Sequence, residues 1–148
     1  MTLTDILDRD LIKVPLEGRS KHEIIEELVD LLSQKKALTN REEILSAVLE
    51  RESLGSTGLA DGIAIPHAKT AAVDRVYLVV GLADTSVDFD AQDGEGSLYF
   101  FLVLAPEHEA SAHIEILSSI AKTTASASFK RLLRLAKTSE DVYSLFVD

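Results

Sequence analysis

The chain has 148 residues, of which 46% are hydrophobic and 27% charged, which is typical of one folded domain with its own core over residues 1–148. The formal net charge of −10 argues against binding to nucleic acid or to an anionic membrane surface, and the absence of cysteine excludes disulfides and thiolate chemistry. No apolar run approaches the ~20 residues of a membrane-inserted helix and no export signal is visible, so we expect a cytoplasmic protein.

The first half of the chain is predicted to contain one extended segment and two helices. A short turn around Thr4–Leu7 precedes an extended segment at Leu11–Pro15. The S-x-x-E pattern of Ser20–Glu23 is a capping box, and the apolar residues after it recur at helical spacing. This pattern predicts a helix that extends to about Gln34. A second amphipathic helix is predicted to open at Asn40.

The second half is predicted to contain two strands followed by three helices. Arg75–Ala83 and Ser97–Ala105 are rich in valine and leucine without a helical period, which indicates buried strands. The predicted helices run from Ser111 to about Ala121, from Ser126 or Ser128 to Lys137, and from Ser139 to Phe146. Because helices and strands alternate, we expect an α/β layered domain.

The segment between the second helix and the first of these strands is the most informative for function. It reads G-S-T-G-L-A-D-G-I-A-I-P-H-A-K over Gly55–Lys69. Its glycines allow positive φ and let backbone N–H groups approach a bound anion. Pro66 steers Ile65 to extended geometry, so His67 follows a stiff backbone. Since neutral imidazole is a good nucleophile at physiological pH, this segment indicates a histidine that handles a phosphoryl group. The alternative is a turn before a core strand, with an incidental histidine.

The string S-T-G-x-x-x-G-I-A-I-P-H at Ser56–His67 resembles the signature of the EIIA components of the bacterial phosphoenolpyruvate-dependent sugar phosphotransferase system. The match is to the fructose/mannitol class, which includes the nitrogen-regulatory branch. Val87–Gly94 is similar to a second family segment, D-F-D-x-x-D-G. Two positions depart from the family pattern, with Asp61 where Asn is usual and Ala68 where Gly is usual. The resemblance implies a mixed, partly parallel sheet flanked by helices.

The resemblance also implies a phosphotransferase component that works through a phosphohistidine. In this class the histidine after I-P, here His67, accepts a phosphoryl group from the carrier protein HPr and passes it to a cysteine on an EIIB domain for sugar uptake. In nitrogen-regulatory members the phosphorylation state controls affinity for a target protein, and a free-standing chain favours that branch or a standalone transport component. The sequence contains no P-loop or metal-binding histidine cluster, so we expect no cofactor and no metal. The phosphoryl group must then arrive already activated.

Five further residues are candidates for holding the phosphoryl group. The resemblance implies that His113, in the segment A-H-I-E-I-L, sits beside the nucleophile. Arg51 occupies a place where the family commonly has arginine, and it either neutralises phosphoryl charge or is an ordinary cation at a helix C-terminus. Lys69, two residues past His67, is a second cation that could neutralise phosphoryl charge. Ser56 and Thr57 either donate hydrogen bonds to the phosphoryl oxygens or cap the turn.

Three other residues are expected to take no part in the chemistry. His22 falls in the first turn of a helix and His108 in a polar loop, so both are predicted to be exposed to solvent. A carboxylate near a phosphoryl site is unfavourable unless it points away or is paired. Because Asp-Gly is a common turn pair, we expect the Asp61 side chain to be fixed by backbone N–H groups in an Asx-turn.

Overall fold

Six α-helices and five β-strands are found in residues 2–147, the part of the chain that the computed structural model describes. The helices are α1 (Leu3–Ile6), α2 (Lys21–Lys35), α3 (Arg41–Ser53), α4 (Ala110–Ala125), α5 (Ala127–Leu135) and α6 (Ser139–Val147). The strands are β1 (Ile12–Leu16), β2 (Ile63–Ala64), β3 (His67–Lys69), β4 (Tyr77–Val87) and β5 (Ser97–Ala105). Within this range, no helix combines the length and the apolar surface that crossing a bilayer requires.

The strands form one mixed sheet in which β5 lies between β4 and the two shortest strands. β1 runs parallel to β4, and β4 runs antiparallel to β5. β2 and β3 follow one another along the other side of β5, and both are parallel to it. In this register Ile63 lies opposite Tyr99, whereas His67 lies opposite Val103. The sheet therefore places His67 on an edge strand, beside the C-terminal half of β5.

The sheet separates two apolar cores because successive side chains of a strand point to opposite faces. One core, on the side of α2 and α3, takes the alternate β5 side chains Phe100, Leu102 and Leu104. The other core, on the side of α1 and α4 to α6, takes Phe101, Val103 and Ala105. Since β5 is buried on both faces, it appears in the sequence as a continuous apolar run.

Most predicted elements are present, with corrections at the helix ends. β5 has the predicted bounds and β4 is shifted toward the C-terminus relative to Arg75–Ala83. Ser111 does not cap α4, because the helix begins one residue earlier and its N-cap residue is Glu109. Ser126 does cap α5, accepting a hydrogen bond from the Phe129 N–H at 3.2 Å, but that helix ends at Leu135 rather than at the predicted Lys137.

The start of α2 forms half of the predicted capping box. The Ser20 hydroxyl accepts a hydrogen bond from the Glu23 N–H at 3.2 Å. The Glu23 carboxylate accepts from the Arg19 N–H at 2.8 Å, one residue before the expected donor. This cap fixes the first turn of α2, in which Lys21 is the first residue.

Candidate active site

His67 is held on the sheet edge by backbone hydrogen bonds of the two residues before it. Before it, the Ile65 N–H donates to the Thr57 carbonyl at 3.0 Å, which closes the intervening residues into a tight loop. The Pro66 carbonyl accepts from the Val103 N–H of β5 at 3.0 Å. The backbone at His67 is therefore fixed by the sheet and by the loop together.

The His67 ring is also fixed, by a hydrogen bond between Nδ1 and the Ile65 carbonyl oxygen at 2.8 Å. Because a carbonyl oxygen only accepts, Nδ1 carries the proton and Nε2 keeps its lone pair. Burial lowers the pKa of His67 below its usual value of 6.5, the hydrogen bond to Ile65 opposes this shift, and the positive charge of Arg51 adds to it. At neutral pH the ring is therefore neutral, with Nε2 as its nucleophilic atom.

His113 lies next to His67, with the two ring centroids 5.4 Å apart and the ring planes 59° apart. It sits in the first turn of α4 and is 4% exposed. Among the described residues its buried Nε2 has no hydrogen-bond partner. Burial lowers the pKa of His113 to about 4, and the nearby His67 and Lys69 contribute in the same direction. An unsatisfied buried nitrogen costs free energy, and this one lies beside a nucleophile.

A groove of about 460 Å³ opens over both histidines, between the end of α3 and the first turns of α4. Its rim carries two strongly exposed apolar side chains, Leu54 at 80% and Ile114 at 67% exposure. The cations Arg51 and Lys69 also line it. Two larger grooves, along α2 and beside α5, contain no histidine. In residues 2–147 no group of three or more histidine or carboxylate side chains is placed to hold a metal ion.

Arg51 occupies the helix-end position that the sequence predicted, and its role toward a phosphoryl group stays a prediction. Its Nη1 donates to the Gly55 carbonyl at 2.9 Å, just past the C-terminal end of α3. The same side chain lines the groove and acts electrostatically on His67. A cation at a helix C-terminus is favourable in itself, and here that position also brings its charge to the nucleophile.

The hydroxyls of Ser56 and Thr57 are directed to protein acceptors. Ser56 donates to the Phe89 carbonyl at 2.6 Å and accepts from the Gly58 N–H at 2.9 Å. Thr57 donates to the carboxylate of Glu52. These contacts correspond to the turn-capping alternative, and binding of phosphoryl oxygens by either hydroxyl stays a prediction.

Sequence reasoning missed Glu52, although a signal for it was present. Ile44, Val48 and Glu52 are spaced at four-residue intervals, so they share one face of α3, and all three are buried. A carboxylate on the apolar stripe of a helix needs a partner. Here the partner is Lys21 of α2, whose Nζ lies 2.7 Å from the carboxylate.

Asp61 is paired, but not in the expected way. Its carboxylate accepts from the Lys130 Nζ of α5 at 2.8 Å, so the expected Asx-turn is wrong. Its backbone adopts φ of 63°, and its N–H donates to the Asp93 carboxylate at 3.1 Å. The predicted exposure of His22 and His108 is confirmed.

Comparison with known proteins identifies the class that this fold and site define. A family model described as "Phosphoenolpyruvate-dependent sugar phosphotransferase system, EIIA 2" matches residues 5–148. The chain belongs to this family. The resemblance seen in the Ser56–His67 string is therefore confirmed, and so is the mixed sheet flanked by helices.

Relatives of the chain carry both transport and regulatory names. It is 36% identical to a nitrogen regulatory protein of Pseudomonas aeruginosa, over 95% of this chain and 90% of that protein. It is 32% identical to the fructose-specific EIIABC component of Bacillus subtilis, over 98% of this chain but only 23% of that protein. The crystal structure of nitrogen regulatory protein IIA-Ntr from Neisseria meningitidis matches with a TM-score of 0.87 and 32% identity, covering 95% and 96% of the two chains.

Proposed function

We propose that this protein is a phosphocarrier that accepts a phosphoryl group from phospho-HPr on His67 and passes it to an EIIB domain for sugar uptake. The observation that carries the proposal is the hydrogen bond from Nδ1 to the Ile65 carbonyl, which leaves the His67 Nε2 lone pair free. The unpartnered Nε2 of His113 lies in the same groove. Membership of the EIIA family supports the same reaction.

The transfer step needs no group beyond these side chains and the phosphorylated donor. The His67 Nε2 lone pair forms a bond to phosphorus while the bond from phosphorus to the donor's histidine nitrogen breaks, and that nitrogen keeps the electron pair. The His67 ring becomes positively charged, and the Ile65 carbonyl stabilises it by accepting from Nδ1–H. His113 supplies an N–H donor and Arg51 a positive charge to the phosphoryl oxygens.

The rim of the groove supports a reaction between proteins. Leu54, just past the end of α3, and Ile114 of α4 are exposed, and both line the groove with the histidines. Exposed aliphatic side chains around a polar centre are typical of a protein-docking surface. A partner that covers them also excludes water from the transferring group.

A nitrogen-regulatory role is the second candidate. The 36% identity to a nitrogen regulatory protein and the TM-score of 0.87 to IIA-Ntr favour it. In that case phosphorylation of His67 changes the affinity for a target protein by adding charge to the groove. The two roles share the first step and differ in the acceptor. A fructose-class EIIB domain added to the phosphorylated protein takes the group rapidly from a transport component and leaves it on a regulatory one.

The first step is tested by incubation with phosphoenolpyruvate, Enzyme I and HPr, followed by intact-protein mass spectrometry. We expect one phosphoryl group, which acid removes and base does not. His67→Ala abolishes this label, whereas the control His22→Ala keeps it because His22 is exposed on α2. Equal labelling of His67→Ala and the wild type would contradict the proposal.

A further inference from the structure

We infer that Glu52 is a positioning residue of this site. Its buried carboxylate fixes the ring of His67 through a series of hydrogen bonds in which Thr57 and Ile65 are the intermediate residues. The effect that we expect on the rate of phosphoryl uptake rests on the proposed function. The structural part of the inference concerns the orientation and the tautomer of the His67 ring.

The first step of the chain is the contact between Glu52 and Thr57. Glu52 is in the last turn of α3 and is 7% exposed. One carboxylate oxygen accepts from the Thr57 N–H at 3.1 Å, and the other accepts from the Thr57 hydroxyl. Lys21 supplies the counter-charge from α2 at 2.7 Å. Hydrogen bonds to a buried carboxylate are stronger than neutral ones, so this contact holds Thr57 against both helices.

The second step leads from Thr57 to the nucleophile. The Thr57 carbonyl accepts from the Ile65 N–H at 3.0 Å. The Ile65 carbonyl in turn accepts from the His67 Nδ1–H at 2.8 Å. The Ile65 N–H is thus bonded to Thr57, the residue that Glu52 holds, and the Ile65 carbonyl is bonded to the imidazole. A shift of Thr57 therefore displaces the carbonyl that selects the His67 tautomer.

A carboxylate is an unusual choice if only stability is required at this position. Buried ion pairs are often replaced by apolar residues without loss of stability, because desolvation of the two charges offsets their attraction. Glu52 also acts on the nucleophile directly, since its negative charge raises the pKa of His67, against the effects of burial and of Arg51. The carboxylate therefore favours both a fixed ring and a more basic Nε2.

The test measures the His67 tautomer by ¹⁵N NMR of the ring in the unphosphorylated protein, and separately the rate of phosphoryl uptake from phospho-HPr. The wild type is expected to show the Nδ1–H tautomer. In Glu52→Gln we expect a mixture of the two tautomers and a rate lower by about 10- to 100-fold, the size of effect that a misplaced reacting group produces. The control Glu43→Gln, exposed on the same helix, should change neither.

A double variant separates positioning from stability. Lys21→Met/Glu52→Gln removes both charges of the 2.7 Å pair, so neither is left without the other; the second carboxylate near Lys21, Asp90 at 3.5 Å, is 74% exposed to solvent. We expect the fold to be retained. We expect its tautomer mixture and slow uptake to persist. A wild-type tautomer or a wild-type rate in this variant would overturn the inference. The NMR measurement needs no phosphoryl transfer. A wild-type protein that takes up no phosphoryl group would contradict the proposed function, and the tautomer measurement alone would then test the series of hydrogen bonds.

Discussion

The two histidines of the groove differ in how their ring nitrogens are satisfied. His67 is only partly buried, yet its Nδ1 is fixed by the Ile65 carbonyl. His113 is 4% exposed, yet its Nε2 has no partner among the described residues. A partly exposed ring needs a hydrogen bond to keep one orientation, whereas packing alone orients a buried ring. This difference is consistent with the roles proposed for the two residues, in which His67 attacks with a free lone pair and His113 donates a hydrogen bond to the phosphoryl oxygens.

The largest effect on the rate of phosphoryl transfer is expected from removing the buried histidine, His113. His113→Ala should still accept a phosphoryl group from HPr on His67, but pass it to EIIB about 100-fold more slowly, since loss of one donor to a transferring group costs about that factor. Rapid-quench measurement of the two half-reactions tests this. His108→Ala, exposed in the preceding turn, is the control. A variant that loses thermal stability but transfers at the wild-type rate would make His113 a packing residue.

The same contrast predicts how stability depends on pH. The unfolded chain protonates His113 near pH 6.5, whereas burial lowers its folded pKa to about 4. Below pH 6.5 the unfolded state therefore binds more protons, and the free energy of unfolding decreases as the pH falls toward 4. The shift corresponds to about 3 kcal/mol at about 1.4 kcal/mol per pKa unit.

Comparison with His113→Asn isolates this contribution, because the other titrating groups are common to both proteins. Urea denaturation from pH 7 to pH 4 should show the wild type losing about 3 kcal/mol more than the variant. Parallel pH profiles for the two proteins would show that His113 titrates normally and is accessible to water.

The parts of the fold that could be predicted are those whose sequence pattern arises from burial. β5 was predicted with its correct bounds because a strand buried on both faces is a continuous apolar run. β2 and β3 have two and three residues, too few to show a period, and they exist because β5 offers an edge to pair with. The short strand that carries His67 is thus among the elements least visible in the sequence.

The site divides in the same way. The prediction for His67 rests on a local string, because the stiff Ile65–Pro66 backbone and the flexible glycine loop are adjacent in sequence. The partner of Glu52 could not be predicted, because Lys21 lies on another helix and only the packing of α2 against α3 brings them together. The Asx-turn predicted for Asp61 was wrong for a similar reason, because the carboxylate pairs with Lys130 of α5, which is distant in sequence.

Arg51 provides a smaller test of the electrostatic side of the site. Arg51→Gln should shift the phosphoryl equilibrium between HPr and this protein toward HPr by up to about fivefold, the net value of about 1 kcal/mol for a solvated charge pair. Intact-mass analysis of equilibrium mixtures measures it. The control is Arg75→Gln, because Arg75 is exposed just before β4 and does not line the groove. An unchanged equilibrium would show that Arg51 only caps the helix end through its hydrogen bond with Gly55.

The smallest effect is expected at Asp61, the carboxylate in the middle of the Ser56–His67 string. Ile63 and His67 lie opposite Tyr99 and Val103, four residues apart along β5, which corresponds to about 13 Å. Asp61 lies in the turn just before Ile63, at the end of β2 away from His67. This separation exceeds the screening length of about 8 Å at physiological ionic strength. Lys130 also offsets the charge locally at 2.8 Å.

Asp61→Asn should accordingly change the transfer equilibrium by less than about twofold, and Lys130→Met should do the same, since at this distance the charge of either residue is screened. Each variant should lower the free energy of unfolding by no more than about 1 kcal/mol, and the double variant by no more than the larger single effect, because the two residues form one exposed pair. Chemical denaturation of the four proteins provides this cycle. A markedly longer-lived phosphohistidine in Asp61→Asn would show that the carboxylate acts on His67 after all, so that the Lys130 pairing does not isolate the turn from the groove.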